Sequence, residues 1–208
     1  MINKLRLILF SVVIVFAFTN TYFASESRGS DKDQSSLAKF LIRNYDLQEV
    51  PNVGSSNPDY VIVEFFDYRC GYCGKQAYDY AKLLESYKNV QIIYLEFPIF
   101  GGISETASKL AMNVWQQKPN LYFQIHNEFM KLGPMMKKND LIQVLDESGF
   151  DGTSMFIKAE SNEKNQIIES NIEIAKNLGL RGTPASVVND TIFPGYIQLS
   201  KLKQIVSQ

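Results

Sequence analysis

A single Cys-x-x-Cys motif placed directly after a hydrophobic segment constrains the fold of this chain more than any other feature. The range Cys70–Cys73 holds the only two cysteines of the 208 residues. The segment before it, Tyr60–Phe66, is apolar on both strand faces, as in a strand that is covered on both sides. From Gly71 onwards the apolar residues take up helical spacing. The sequence therefore predicts two thiols at the point where a buried strand gives way to a helix.

Two thiols at the start of a helix are suited to thiol–disulfide exchange, because the unpaired N–H groups and the positive end of the helix dipole stabilise a thiolate. Cys70 comes first and is the candidate nucleophile, with a lowered thiol pKa, and Cys73 is the candidate resolving thiol. A substrate thiolate that attacks their disulfide forms a mixed disulfide through Cys70, which a second substrate thiol releases. Gly71 and Tyr72 are expected to tune the redox potential of the pair.

Two other uses of the cysteine pair fit the sequence less well. A zinc site needs four ligands of Cys, His or carboxylate type, and the chain has no second cysteine pair and one histidine, His126. A purely structural disulfide that closes so small a ring would constrain little of the unfolded chain. We interpret His126 as a packed or surface side chain rather than a catalytic one.

Glu64 is the one acidic residue of the hydrophobic segment. It shares a strand face with Ile62 and Phe66 and precedes Cys70 by six residues. Burial there disfavours the charged form of a carboxyl group and raises its pKa, so that Glu64 could relay the proton of Cys73. An alternative stays open, in which the carboxylate is satisfied by a neighbouring lysine or lies at the strand end.

The N-terminal segment predicts export. Met1–Ala24 carries Lys4 and Arg6 ahead of an apolar run, the pattern of a signal peptide. A tilted Leu7–Phe23 segment retained as an uncleaved membrane anchor is the alternative. Either outcome places the rest of the chain in the periplasm or on the outer face of the membrane.

The stretch after the signal is predicted to be a linker with one short helix. It covers residues 25–56, with the helix at Ser36–Tyr45 and a turn-rich connector from Pro51 to Pro58. The helix either packs on the domain or acts as a self-association arm. The formal net charge of the whole chain is -1, which provides no field to attract nucleic acid or an anionic membrane surface, so we exclude polyanion binding as the main function.

The periods of the apolar residues predict the order strand, helix, strand, helices, strand, strand, helix. Two strands separated by one helix and a short return imply a parallel pair joined by a right-handed crossover. The last two strands are Ala185–Val188 and Thr191–Phe193, and a longer helix at Asn162–Leu178 is grouped with the other helices in one compact insertion.

This order resembles the thioredoxin fold with an inserted helical subdomain, as in the DsbA-like exported thiol–disulfide oxidoreductases. The Gly-Tyr dipeptide between the cysteines is similar to that of the DsbC/ScsC-like branch. The resemblance implies an α/β thioredoxin-like domain over 57–208, with the helical insertion at about 103–160. The motifs that carry it most specifically are Val63–Tyr68 before the cysteines, Glu96–Pro98, and Gly182–Ala185.

The resemblance also implies roles for residues outside the Cys-x-x-Cys motif. Thr183-Pro184 is expected to be a cis peptide bond that lies beside Cys70, where an extended substrate segment pairs with the Thr183 backbone. Glu64 is similar to the buried acidic residue at the matching place in thioredoxin-like proteins. The implied chemistry needs no cofactor and no metal.

The most favoured function is that of an exported oxidoreductase that donates disulfides to exported proteins with free thiols or wrong disulfides. A membrane redox partner would then reoxidise it. The first alternative is a disulfide isomerase that acts as an oligomer and is kept reduced by its partner. Isomerase relatives associate through N-terminal regions, and only residues 25–50 are available here, so a monomer is expected.

A second alternative belongs to another class, a copper-binding or copper-protective thiol protein, which the similarity to the ScsC-like branch raises. Cys70 and Cys73 would be soft thiolate ligands, and Met135-Met136 a thioether pair. The competing interpretation of the two methionines is that they fill gaps in a loop between helices.

Overall fold

The computed structural model describes residues 36–43, 45–161 and 163–207. The predicted signal peptide, Met1–Ala24, and the first part of the linker, residues 25–35, lie outside the described residues. In the described part of the chain, no helix combines the length and the apolar character needed to cross a membrane.

A five-stranded sheet lies at the centre of the fold. Its strands are β1 (Asn52–Gly54), β2 (Tyr60–Phe66), β3 (Val90–Glu96), β4 (Ala185–Val188) and β5 (Thr191–Pro194). They are arranged in the order β1-β3-β2-β4-β5. The pair β2 and β3 is parallel, as predicted, and every other neighbouring pair is antiparallel. The central position of β2 explains why its sequence is apolar on both faces.

Helices cover both faces of the sheet. They are α1 (Leu37–Ile42), α2 (Gly71–Ser86), α3 (Ile103–Gln117), α4 (Pro119–Leu132), α5 (Lys138–Glu147), α6 (Gly152–Ala159), α7 (Gln166–Asn177) and α8 (Leu199–Val206), with a 3-10 turn at Gly133–Met135. One hydrophobic core joins Ile62 and Phe66 of β2 to α2–α6 and α8. A second core joins the opposite face of β2, including Val63, to α1 and α7.

Alternation along β2 produces this division. Val61, Val63 and Phe65 point into the second core, whereas Ile62 and Phe66 point into the first, because successive side chains of a strand point to opposite faces. Glu64 therefore lies on the face that α2 covers, which is also the face that carries the two cysteines.

The predicted connector Pro51–Pro58 is wrong over three residues, because Asn52–Gly54 forms the edge strand β1. It pairs antiparallel with β3, with Val53 opposite Ile92. Gly54, the last residue of β1, has a φ of 105°, and a Cβ there would lie 2.3 Å from the Val90 carbonyl oxygen. Both the backbone conformation and the close approach of β3 therefore require glycine at this position. Three residues are too few for an alternating hydrophobic pattern, and the sheet therefore begins before residue 57.

The predicted single insertion of helices is also corrected. α3–α6 pack together over residues 103–159, but α7 packs on the opposite face of the sheet with Ala175 in the second core. α7 begins at Gln166 rather than at Asn162, because the Asn165 side chain caps it by accepting from the Ile167 and Ile168 N–H groups. Periodicity identifies an apolar stripe on a helix but not which face of the sheet covers it.

Candidate active site

The two cysteines lie at the first turn of α2. Cys70 is the N-cap residue, with φ -79° and ψ 112°, and its Sγ accepts a hydrogen bond from the Cys73 N–H at 3.4 Å. Both side chains are free thiols in this structure. Cys70 is 7% exposed and Cys73 is 0% exposed. A substrate sulfur can therefore reach only the first cysteine of the pair.

The surroundings shift the pKa values of the two thiols in opposite directions. The pKa of Cys70 is lowered to about 6, first because the Cys73 thiol donates to its sulfur, against an opposing effect of burial, and also because backbone N–H groups point at it. The pKa of Cys73 is raised, mainly by burial and then by the neighbouring Cys70 and Glu64. At neutral pH Cys70 is mostly a thiolate and Cys73 a thiol, which is the asymmetry that a nucleophile and a resolving thiol require.

The Thr183-Pro184 peptide bond is cis, which confirms the conformation that the family resemblance implies. The Thr183 carbonyl oxygen lies 3.2 Å from Cys70 Sγ, and in the thiol form of Cys70 it accepts its hydrogen bond. The predicted neighbours are thus brought together across 113 residues of sequence. Their role in holding substrate backbone stays a prediction.

The two residues between the cysteines face different surroundings. Gly71 lies close to the 3-10 turn, since a Cβ there would be 3.9 Å from Pro134. Tyr72 is 65% exposed, and its ring centroid lies 6.3 Å from that of Tyr196. Tyr72 is thus exposed beside the cysteines, and its predicted effect on the redox potential stays a prediction.

Glu64 lies in the middle of β2, between Tyr94 of β3 and Ser186 of β4. It is 0% exposed, and neither carboxyl oxygen has a hydrogen-bond partner among the described residues. Burial raises its pKa well above the usual range, and the charges of Cys70 and Glu96 raise it further. The alternative of a carboxylate that is satisfied by a lysine or lies at the strand end is therefore wrong, and the buried position beside the cysteines disfavours the charged form of Glu64.

Asp67 is a positioning residue that the sequence analysis missed. It is buried, and its Oδ1 accepts from the Arg69 N–H at 2.8 Å and from the Ser104 hydroxyl, while its Oδ2 accepts from the Phe100 N–H at 3.0 Å. This carboxylate ties the loop before Cys70 to the loop that leads into α3. The only sequence signal was its place in the motif before the cysteines, which is also an ordinary place for a turn residue.

A second buried acid, Glu96, was missed as well. Its Oε1 accepts from the Tyr68 hydroxyl at 3.2 Å and from the Tyr122 hydroxyl at 3.3 Å. The Tyr68 hydroxyl also lies 3.2 Å from His126 Nδ1, and His126 is buried. His126 is a packed histidine, as interpreted from the sequence, but it belongs to a polar network beneath the active site.

The two methionines of the copper alternative have different surroundings. Met136 is 5% exposed and belongs to the first core, whereas Met135 is 78% exposed. In the ranges that the structure describes, no group of three or more His, Cys, Asp and Glu side chains is placed to hold a metal ion.

Comparison with known proteins identifies the family. Residues 61–207 match the family model described as the DSBA-like thioredoxin domain. The chain belongs to this DsbA-like family. It is 20% identical over 169 residues to disulfide bond formation protein D of Bacillus subtilis (strain 168), a match that covers 76% of each chain.

Two solved structures share its fold. A thioredoxin-like oxidoreductase from Silicibacter pomeroyi DSS-3 is 29% identical with a TM-score of 0.69, over 80% of this chain and 94% of that one. The catalytic domain of Proteus mirabilis ScsC is 27% identical with a TM-score of 0.71, over 82% and 95%. The predicted family and thioredoxin fold are confirmed, and the protein is a thiol–disulfide oxidoreductase.

Proposed function

We propose that this DsbA-like protein is exported and donates disulfide bonds to other exported proteins. The observation that carries the proposal is the environment of Cys70, which lowers its thiol pKa to about 6. Stabilising the thiolate stabilises the reduced form of the pair relative to the disulfide. A protein whose reduced form is favoured passes its disulfide on to its substrates.

The transfer proceeds in two exchanges through Cys70. A substrate thiolate attacks Cys70 Sγ, the bond between Cys70 and Cys73 breaks, and Cys73 leaves as a thiolate. The carboxyl group of Glu64 supplies the proton that converts this thiolate to a buried thiol. A second substrate thiolate then attacks the substrate sulfur of the mixed disulfide, which forms the substrate disulfide and releases the Cys70 thiolate. Two electrons pass from the substrate to the protein.

The surface around Cys70 supports an unfolded polypeptide as substrate. Four large apolar side chains flank the motif and are exposed: Tyr72 at 65%, Ile99 at 41%, Phe100 at 54% and Met135 at 78%. Asp67 holds the loop of Ile99 and Phe100 in place through the Phe100 N–H. Exposed apolar groups of this kind mark sites of protein contact, and an unfolded chain offers apolar side chains next to its cysteines.

A cleft beside this surface supports contact with a longer segment. A cavity of about 330 Å³ lies between the end of β5 and α8. Tyr196 lines it and reaches Tyr72 on one side, while its hydroxyl donates to Asp79 of α2. The cleft is proposed to hold either the substrate or the membrane redox partner that reoxidises the cysteines.

One pair of assays distinguishes disulfide donation from disulfide isomerisation. The oxidised protein is mixed at equal concentration with a reduced, unfolded protein containing two cysteines, and separately its reduced form is mixed with a protein whose disulfides are scrambled. The proposal predicts stoichiometric oxidation of the first substrate, little reshuffling of the second, and a monomer in sedimentation. Efficient reshuffling by a stable dimer or trimer would instead establish the isomerase alternative.

A further inference from the structure

Buried polar atoms without a partner gather on one side of the central sheet. In the described part of the chain, eight buried side-chain oxygen and nitrogen atoms have no hydrogen-bond partner. Six of them lie where β2 and β3 meet α3 and α4. They are both Glu64 carboxyl oxygens, Tyr94 Oη and Glu96 Oε2 on the strands, Ser108 Oγ on α3 and His126 Nε2 on α4. Each such atom costs free energy when it is buried alone. Their concentration beneath the redox site therefore calls for a functional explanation.

Glu64 and Glu96 are close neighbours within this group. They lie on the same face of two adjacent parallel strands, where Glu64 is opposite Tyr94 and Glu96 is opposite Phe66. Tyr94 is directly opposite Glu64 and two residues before Glu96 on β3, and its ring packs 4.4 Å from the ring of His126. A negative charge on either carboxyl group therefore opposes ionisation of the other.

Among the residues that the structure describes, no buried cation offsets the two acids. None of the buried polar or charged side chains in the described residues is a lysine or an arginine. His126 stays neutral because burial lowers its pKa to about 3. The other titratable groups that face the pair carry no positive charge either; they are Cys70, Cys73 and Tyr80 from α2 and its N-cap, Asp67 and Tyr68 from the loop after β2, Tyr94 from β3, and Tyr122 from α4.

The hydrogen bonds to Glu96 distinguish it from Glu64. Two tyrosine hydroxyls hold one oxygen of Glu96, whereas Glu64 has none. Burial raises the pKa of Glu96, and the hydroxyl donors partly offset this effect because they favour the charged form. The net result is a pKa of about 8. Glu96 is thus mostly protonated at pH 7 and becomes charged as the pH rises past about 8.

We propose that Glu96 is a positioning residue that controls proton transfer from Glu64 to Cys73. While Glu96 keeps its proton, Glu64 can give up its own to the departing Cys73 thiolate and carry the single negative charge of the pair. When Glu96 is ionised, the same step would leave two adjacent buried carboxylates, and it is suppressed. One proton moves, from Glu64 to Cys73, and Glu96 gains or loses none in the step. The inference rests on the proposed role of Glu64.

The pH profile of disulfide cleavage tests this control. The oxidised protein is reacted with reduced glutathione from pH 6 to pH 9.5, and the rate constant is divided by the thiolate fraction of glutathione. The wild-type value is expected to fall by about tenfold as Glu96 ionises, since general acid catalysis contributes at least that much. In Glu96→Gln the corrected rate stays level, because glutamine acquires no charge. Glu173→Gln, the same change at an exposed position of α7, keeps the wild-type profile.

A second series separates control by Glu96 from a merely structural effect. Adding Glu96→Gln to Glu64→Gln is expected to change nothing further, because the two residues act in one step. Tyr122→Phe removes one hydrogen-bond donor from Glu96 while keeping the ring, which disfavours the charged form of Glu96. The fall in the corrected rate should therefore occur at higher pH. This variant tests the inference even if Glu96→Gln does not fold.

Each failure has its own signature. Any of three results overturns the inference. The corrected rate still falls with pH in Glu96→Gln, the Tyr122→Phe profile matches that of the wild type, or Glu96→Gln has the same effect with and without Glu64. If Glu64→Gln itself reacts at the wild-type rate, the proposed role of Glu64 is wrong as well. Disulfide donation is tested separately, by the refolding assays.

Discussion

Replacing Cys70 with serine is expected to abolish disulfide transfer. Cys70 is the only one of the two cysteines with any exposure, and its environment favours the thiolate. A serine hydroxyl cannot form the mixed disulfide, and Cys73 is 0% exposed. The oxidation rate of a reduced two-cysteine substrate should fall to the uncatalysed rate.

Cys73→Ser is the matched control, because it keeps the nucleophile and removes the resolving thiol. A substrate disulfide should then react with Cys70 and remain attached, so that a covalent complex accumulates on a non-reducing gel and in the mass spectrum. Residual transfer by Cys70→Ser, or a covalent complex formed through Cys73 in that variant, would contradict the assigned roles.

Replacing Phe66 with alanine is expected to lower the free energy of unfolding by about 3–5 kcal/mol, the usual cost of such a cavity. Phe66 is 0% exposed, and its ring packs edge-on against Tyr68 at 5.1 Å, Tyr94 at 6.0 Å and His126 at 4.9 Å. Denaturant unfolding of the reduced protein measures the change. Phe40→Ala removes a side chain that is 59% exposed on α1, and it should change the value by about 0.5 kcal/mol or less. Equal losses in the two variants would show that the core beneath the site is not packed as described.

The redox motif and the central strand were predictable because their signals are local. Tyr60–Phe66 has apolar residues on both faces, which only a central strand requires, and the helix that starts at Gly71 shows its own period. The burial of Glu64 follows from the same alternation, since Ile62 and Phe66 share its face. The place of Thr183-Pro184 beside Cys70 came from the family resemblance, because spacing alone does not bring residues 113 positions apart into contact.

The parts that were missed depend on contacts that are distant in sequence. β1 is stabilised by pairing with β3, and its three residues have no pattern of their own. Asp67 owes its role to Ser104 and Phe100, and Glu96 owes its role to Tyr68 and Tyr122. A single acidic residue after a strand, or at its end, is usually exposed, so only the assembled fold shows that these two are buried.

The equilibrium reduction potential of the Cys70–Cys73 pair tests disulfide donation most directly. The protein is equilibrated in graded glutathione buffers, free thiols are trapped by alkylation, and the reduced fraction is read as a mass shift. Because the Cys70 thiolate stabilises the reduced form, we expect a potential at pH 7 more oxidising than about -180 mV.

The same titration, repeated at several pH values, reports on the thiolate itself. The pKa of Cys70 is depressed in the folded protein, so the stabilisation of the reduced form is present at high pH and is lost as the pH falls through about 6. The slope should therefore change from about 59 mV to about 30 mV per pH unit as the pH rises through that value, because reduction then takes up one proton instead of two. A potential near or below about -270 mV at pH 7 would contradict disulfide donation and indicate a reductant.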